Sequence, residues 1–176
     1  MANSGAPKTV KDMLAEGSIT KVYGSTYLLN IQPAFNIDRV RFSIVKLGSA
    51  GKEHSDIYLT TEEVRQFAEE IENGKAEYKI MNDPNTKYPQ TYQWTKGENG
   101  SKKLSIGQGQ KGILVQISIN EEGTWTHKMT VVQMNDFKQM AFLFKLVSGL
   151  IPVSKEGYYG ELFGTYWDNT KKSEYA

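Results

Sequence analysis

The chain has 176 residues, a formal net charge of +1, two histidines and no cysteine. That length suits one compact domain, and the missing cysteine excludes disulfides and thiolate metal sites. With only His54 and His127 as imidazoles, and no apolar run near the roughly 20 residues of a bilayer span, neither a metal or other cofactor nor a membrane anchor is expected. Met1 to Lys11 lacks the apolar core of a signal peptide, which points to a cytoplasmic protein.

Residues 1–17 read as an N-terminal arm. Alternation of apolar and polar residues then predicts four strands, over Ser18–Tyr23, Tyr27–Gln32, Asp38–Leu47 and Ser55–Thr60. Gly24-Ser25, Pro33–Asn36 and Gly48–Lys52 punctuate them. "TTEEVRQFAEEIENG" predicts a helix. Thr60 or Thr61 caps it, Val64, Phe67, Ala68 and Ile71 form its apolar stripe, and Gly74 stops it. Residues 75–89, with "NDPNTKYP", read as a linker.

Charge is uneven here. From Lys75 to Lys111 there are seven lysines against Glu77, Asp83 and Glu98. The helix before carries Glu62, Glu63, Glu69, Glu70 and Glu72 against Arg65 alone. Such a split predicts one basic face in a near-neutral protein.

Four more strands follow, over Gln90–Lys96, Lys102–Gly107, Gly112–Asn120 and Thr124–Gln133, with tight turns at Gly97–Gly100 and Glu121–Gly123. "MNDFKQMAFLFKLVSG" is the second helix, with the stripe Phe137, Met140, Ala141 and Phe144. Each member lies 73 residues after its counterpart in the first helix. Val40, Phe42 and Ile44 match Ile113, Val115 and Ile117 at the same offset, Tyr58-Leu59 match Val131-Val132, and Ile31 matches Leu104. One gap-free offset across strands and helix predicts a repeat, ββββα over 18–74 and again over 90–149. The fold class is therefore α+β, with two antiparallel four-stranded sheets and their helices packed together. Phe142, Leu143, Leu146 and Val147 make the second helix apolar nearly all round, which predicts burial against another helix or another subunit. Residues 150–176 stand outside the repeat. Tyr158, Tyr159, Leu162, Phe163, Tyr166 and Trp167 suit docking on the domain, covering a neighbour, or recruiting a protein partner.

"GQGQKG", residues 107–112, has the spacing of a dinucleotide-binding turn. That site needs a strand before the glycines and a helix after them, so that helix amides meet the pyrophosphate. Here a strand, "GILVQISIN", follows. The glycines instead predict a connection between strands two and three of the second half. Lys102, Lys103 and Lys111 flank it. Either it approaches a phosphate backbone, or it is an ordinary solvated turn.

The ββββα–ββββα organisation resembles the Whirly family, and more broadly the positive-cofactor-four class of single-stranded nucleic-acid binders. The resemblance spans Ser18 to Gly149. It rests on element order, the 73-residue spacing and the junctions "DIYLTTEEVRQF" and "MTVVQMNDFKQM". The plant family's KGKAAL motif is absent, and "YLLNIQP" stands there, so no residue carries over by motif. The resemblance implies a homo-oligomer that binds single-stranded DNA through a sheet face with little sequence preference, in DNA replication or recombination.

Strand binding needs cations along a groove and flat rings for bases. The candidates are Lys21 and Tyr23 on strand one, Arg39 and Arg41 opposite the apolar face of strand three, and Lys87 and Tyr88 in the linker. Tyr92, Trp94 and Lys96 on strand five, with Lys102, Lys103, Lys111 and Trp125, complete the set. Outward-facing Gln116, Ser118 and Asn120 suit hydrogen bonds to backbone or bases. Tyr92 and Trp94 also suit core packing, and Arg39 and Arg41 a solvated sheet face. No G-x-S-x-G, H-E-x-x-H or cysteine nucleophile is present, so no enzyme is expected. The alternatives are an RNA-binding protein of the same fold, or a protein-interaction module using the sheet face or the aromatic C-terminal segment.

Overall fold

The computed structural model describes residues 21–23, 26–34 and 37–149. The arm 1–17, residues 18–20, Gly24-Ser25, Phe35-Asn36 and the segment 150–176 lie outside the described residues. The first half runs β1 (Lys21–Tyr23), β2 (Tyr27–Ala34), β3 (Arg39–Lys46), β4 (His54–Thr60) and α1 (Thr61–Glu72). A short helix α2 (Lys75–Met81) follows. The second half runs β5 (Tyr92–Lys96), β6 (Lys102–Gln108), β7 (Ile113–Glu121), β8 (Thr124–Val132) and α3 (Met134–Val147). The strands form two antiparallel sheets in sequential order, β1-β2-β3-β4 and β5-β6-β7-β8. This is the α+β organisation of two ββββα units.

Alternation decides which face each sheet buries. In the first sheet Ile31, Phe42 and Ile57 pair across three strands, as do Pro33, Val40 and Leu59. In the second, Leu104 pairs with Ile117 and Ile106 with Val115. Ile31, Val40, Phe42, Ile57 and Leu59 of the first sheet and Leu104, Ile106, Val115 and Ile117 of the second join one core with the apolar stripes of α1 and α3. Phe67 sits among its rings, with centroids 5.9 Å from Phe137 and 5.8 Å from Phe144, while Phe42 lies 5.9 Å from Phe144. Each large apolar side chain so buried contributes roughly 1.5–3 kcal/mol.

Thr60 is the N-cap of α1. Its hydroxyl accepts from the Glu63 amide at 3.1 Å, and the Glu63 carboxylate accepts from the Thr60 amide at 2.8 Å. This reciprocal cap is worth about 1 kcal/mol. Gly74, at φ +84°, ends the helix in the left-handed region and opens α2. The stretch read as a linker thus begins with a helix. Its "KAEYKIM" buries only Ala76 and Ile80, too short a stripe to stand out in the sequence. On α3, Leu146 and Val147 are buried but Phe142 is 63% exposed, so the described residues do not enclose the helix all round. Arg65 Nε and Nη2 donate to the Ser148 carbonyl at 3.2 and 2.8 Å and satisfy the end of α3.

The repeat holds, but its offset is not gap-free. β3, β4 and α1 match β7, β8 and α3 at 73 residues, because Phe42↔Ile57 and Val115↔Thr130 are equivalent pairs. β2 does not. Leu29 pairs with Ile44 as Leu104 pairs with Ile117, and Ile31 pairs with Phe42 as Ile106 pairs with Val115. Ile31 therefore corresponds to Ile106, not Leu104. The two-residue shift escapes notice because it keeps every side chain on its face.

"GQGQKG" is a tight hairpin from β6 to β7. The Gly109 amide donates to the Gly112 carbonyl at 2.8 Å across Gln110-Lys111. A Cβ on Gly109 would sit 2.6 Å from the Leu114 side chain, and one on Gly112 would sit 2.7 Å from the Val132 carbonyl. Close packing accounts for these glycines. The β7–β8 turn has Glu122 and Gly123 at φ 53° and 86°, the two-residue arrangement that matches strand twist.

Candidate nucleic-acid interface

Alternation leaves a second, outward face on each sheet, and the two differ chemically. On the first sheet the outward residues form a closed polar network around Asp56. Its carboxylate accepts from Arg41 Nη2 at 3.0 Å and from Ser43 Oγ at 2.5 Å, and lies 3.0 Å from His54 Nδ1. Arg41 Nη1 also donates to Gln32 at 3.2 Å. Burial pushes the Asp56 carboxyl up, but the bonds from Ser43 and Arg41 outweigh it and hold the group below its ordinary value. Arg39 donates to the carbonyls of Ile37 and Asp38, both at 3.1 Å. Both arginines are thus engaged within the chain. By register Lys21 pairs with Asn30 and Tyr23 with Leu28; their side chains are outside the described residues.

On the second sheet the outward face is a shallow groove of about 530 Å³. Gln93, Ser105 and Gln116 make one row of its floor, and Lys103, Ser118 and His127 the next. The rows are joined by Gln116 Nε2, which donates to Ser118 Oγ at 3.2 Å, and by Ser118 Oγ, 2.7 Å from His127 Nδ1. Trp125, 40% exposed, stands on one side, with Lys103 Nζ 5.7 Å from its ring centroid. Tyr88, 57% exposed, and Pro89 stand on the other. Among the described residues that line it, none is acidic.

The expected site residues therefore divide. Tyr88, Lys103 and Trp125 come together at the groove, and Lys87 adjoins Tyr88. Lys111 is exposed at the tip of the β6–β7 hairpin. Arg39 and Arg41 lie on the other sheet. Tyr92, Trp94 and Lys96 point the opposite way, toward α1, because Gln93 and Thr95 take the outward positions between them. Phe67 packs edge-on to Tyr92 at 4.9 Å and to Trp94 at 5.1 Å. The Tyr92 hydroxyl donates to Glu70 at 2.7 Å, and burial with that carboxylate raises the phenol above its ordinary value. Lys96 Nζ donates to Glu63 at 2.7 and 2.9 Å. Burial and these two lysine bonds act oppositely on Glu63, and the bonds win, lowering it. Lys102 shares the parity of Leu104 and Ile106, so it too is on the helix-facing side.

Three floor residues, Gln93, Ser105 and His127, and the wall residue Pro89 were not among the sequence candidates. Gln93 and Ser105 were detectable, each being the polar member between two apolar residues of a strand. The role of Pro89 was not, since it depends on a long-range contact with Gly107. Among the described residues no cluster of histidine and carboxylate suits a metal ion, and no helix is long and apolar enough to cross a membrane.

No protein-family model and no curated protein matches the chain. Among solved structures it is similar to the plant transcriptional regulator PBF-2, with 9% identity and a TM-score of 0.49 over 86% of this chain and 94% of that one. It is also similar to an SsgA-like sporulation-specific cell division protein from Thermobifida fusca, with 10% identity and a TM-score of 0.36 over 85% of this chain and 82% of that one.

Proposed function

We propose that this protein binds single-stranded nucleic acid, DNA in the first instance, on the outward face of its second sheet. The observation that carries the reading is one groove with two exposed rings, Trp125 and Tyr88, on opposite sides of a polar floor without acidic residues. An unpaired base offers two π-faces to such rings and its hydrogen-bonding edge to glutamine, serine and histidine. A duplex hides both. Lys103 at the floor, Lys87 beside Tyr88 and Lys111 at the hairpin tip neutralise phosphates as the strand passes. No bond is made or broken. Arg39 and Arg41 of the first sheet take no part, because they are already bound to Asp56, Gln32 and backbone carbonyls.

Fluorescence anisotropy with labelled oligothymidylate tests this. Binding should weaken steeply with salt, and an equivalent duplex should bind worse. Oligouridylate in a parallel titration separates a DNA from an RNA preference. Equal, negligible binding of single strand and duplex at low salt would sink the proposal.

A further inference from the structure

Tyr88 is an exposed ring on a stretch without regular structure, yet its backbone is held at several points. Asp83 closes the strap that carries it. One carboxylate oxygen accepts from the Asn85 amide at 2.9 Å and the other from Thr91 Oγ1 at 2.7 Å. The Asn85 side-chain oxygen then accepts from the amides of Lys87 at 2.9 Å and Tyr88 at 3.3 Å. Gln108 Nε2, at the end of β6, donates to the Asp83 carbonyl at 2.9 Å and ties the strap to the sheet. Pro89, the next residue after Tyr88, is buried against Gly107, where an added Cβ would lie 2.8 Å from Pro89 Cα. The Tyr88 ring thus leaves a backbone fixed on both sides of its Cα.

We infer that Asn85 and Asp83 are positioning residues, which hold Tyr88 as a ready-made wall of the groove and raise affinity by removing the ordering cost of binding. Neither need touch the bound strand. A loose strap would have to order its backbone at each binding event, and that entropy would be lost from affinity. The inference rests on the groove being the nucleic-acid site.

The test uses the full chain, labelled oligothymidylate and four variants. Tyr88→Ala should weaken binding roughly tenfold, as removal of one stacking ring does. Asn85→Ala should reproduce most of that loss, about fivefold, with an unchanged salt slope because no phosphate contact goes. The double variant should bind no more weakly than Tyr88→Ala alone, since Asn85 acts through that ring. Asn85→Ser, whose hydroxyl can accept from the same amides, should recover part of the affinity. Thermal melts of each variant separate misfolding from mispositioning. Wild-type affinity in Asn85→Ala, or losses that multiply in the double variant, would overturn the inference. If the unaltered protein binds but Tyr88→Ala is neutral, the positioning role falls while the groove stands. If the unaltered protein does not bind, both fall.

Discussion

His127 occupies the place in the second sheet that His54 occupies in the first, and the two imidazoles have different kinds of partner. Ser118 pairs with His127 as Val45 pairs with His54. His54 Nδ1 meets a carboxylate, Asp56, at 3.0 Å; His127 Nδ1 meets a hydroxyl, Ser118, at 2.7 Å. A carboxylate on a sheet face repels phosphate and consumes nearby cations. A hydroxyl does neither. This exchange leaves a carboxylate network on the first sheet and a groove floor of amides, hydroxyls, an imidazole and Lys103 on the second.

Trp125 and Lys103 should divide the binding energy in a recognisable way. Trp125→Ala removes a stacking surface and should cost about 1–3 kcal/mol against oligothymidylate, with little change in salt dependence. Lys103→Ala should lower the slope of log K against log salt by about 0.7, the value for one phosphate contact on a single strand. Anisotropy titrations at several salt concentrations measure both. A salt slope unchanged in Lys103→Ala would place phosphate elsewhere.

Arg41→Ala should do the reverse. It leaves Asp56 without its guanidinium partner, and should destabilise the fold by about 1 kcal/mol, a modest value because the pair is partly exposed. Oligothymidylate affinity should stay at the wild-type value. Urea denaturation and one anisotropy curve decide it.

Gly107→Ala introduces a Cβ 2.8 Å from Pro89 Cα and 3.0 Å from the Gln90 amide nitrogen. Both atoms are backbone, so the strap must shift. A loss of about 1–3 kcal/mol is expected, as for other overpacked sites, and calorimetry or urea titration reads it. An alanine variant as stable as the parent would show that the strap does not press on β6.

Acid should weaken the protein for a definite reason. Asp56, Glu63 and Glu70 are each pushed up by burial, yet brought below their ordinary values by the bonds from Ser43 and Arg41, from Lys96 and from Tyr92 respectively. A carboxyl lowered on folding adds stability above its unfolded value, and loses that stability as pH falls through its folded value. The loss should therefore begin near the ordinary values of 4.5 for the glutamates and 3.8 for Asp56 and grow below them. Denaturant midpoints from pH 7 down to 3 follow it. Glu63→Gln should reduce the slope, since that group then no longer titrates.

Much of the fold was legible because it is periodic. The stripe of α1 and the alternation of β3 and β7 each name their own buried face, and the repeat supports both. The site was harder to read. Tyr92 and Trp94 suit both core packing and a stacking platform until one asks which side of β5 faces α1, and Phe67 answers that only in three dimensions. Arg41 reads as a free cation because Asp56 lies 15 residues away, in a neighbouring strand. Conversely, Gln93 and Ser105 are plain residues whose importance comes from lying side by side across a strand pair. Composition marks candidates for a surface; register decides which of them meet.

The hairpin at Gln110-Lys111 is shorter than its counterpart. Gly109 and Gly112 enclose two residues where Ala34 and Arg39 enclose four. The two connections thus differ in length by an even step, which leaves every side chain on its own face. A one-residue slip of β6 against its neighbours would turn it inside out, sending Leu104 and Ile106 to water and Lys103 and Ser105 into the core. The polarity of the groove is thus a property of register, set where β6 meets β5 and β7.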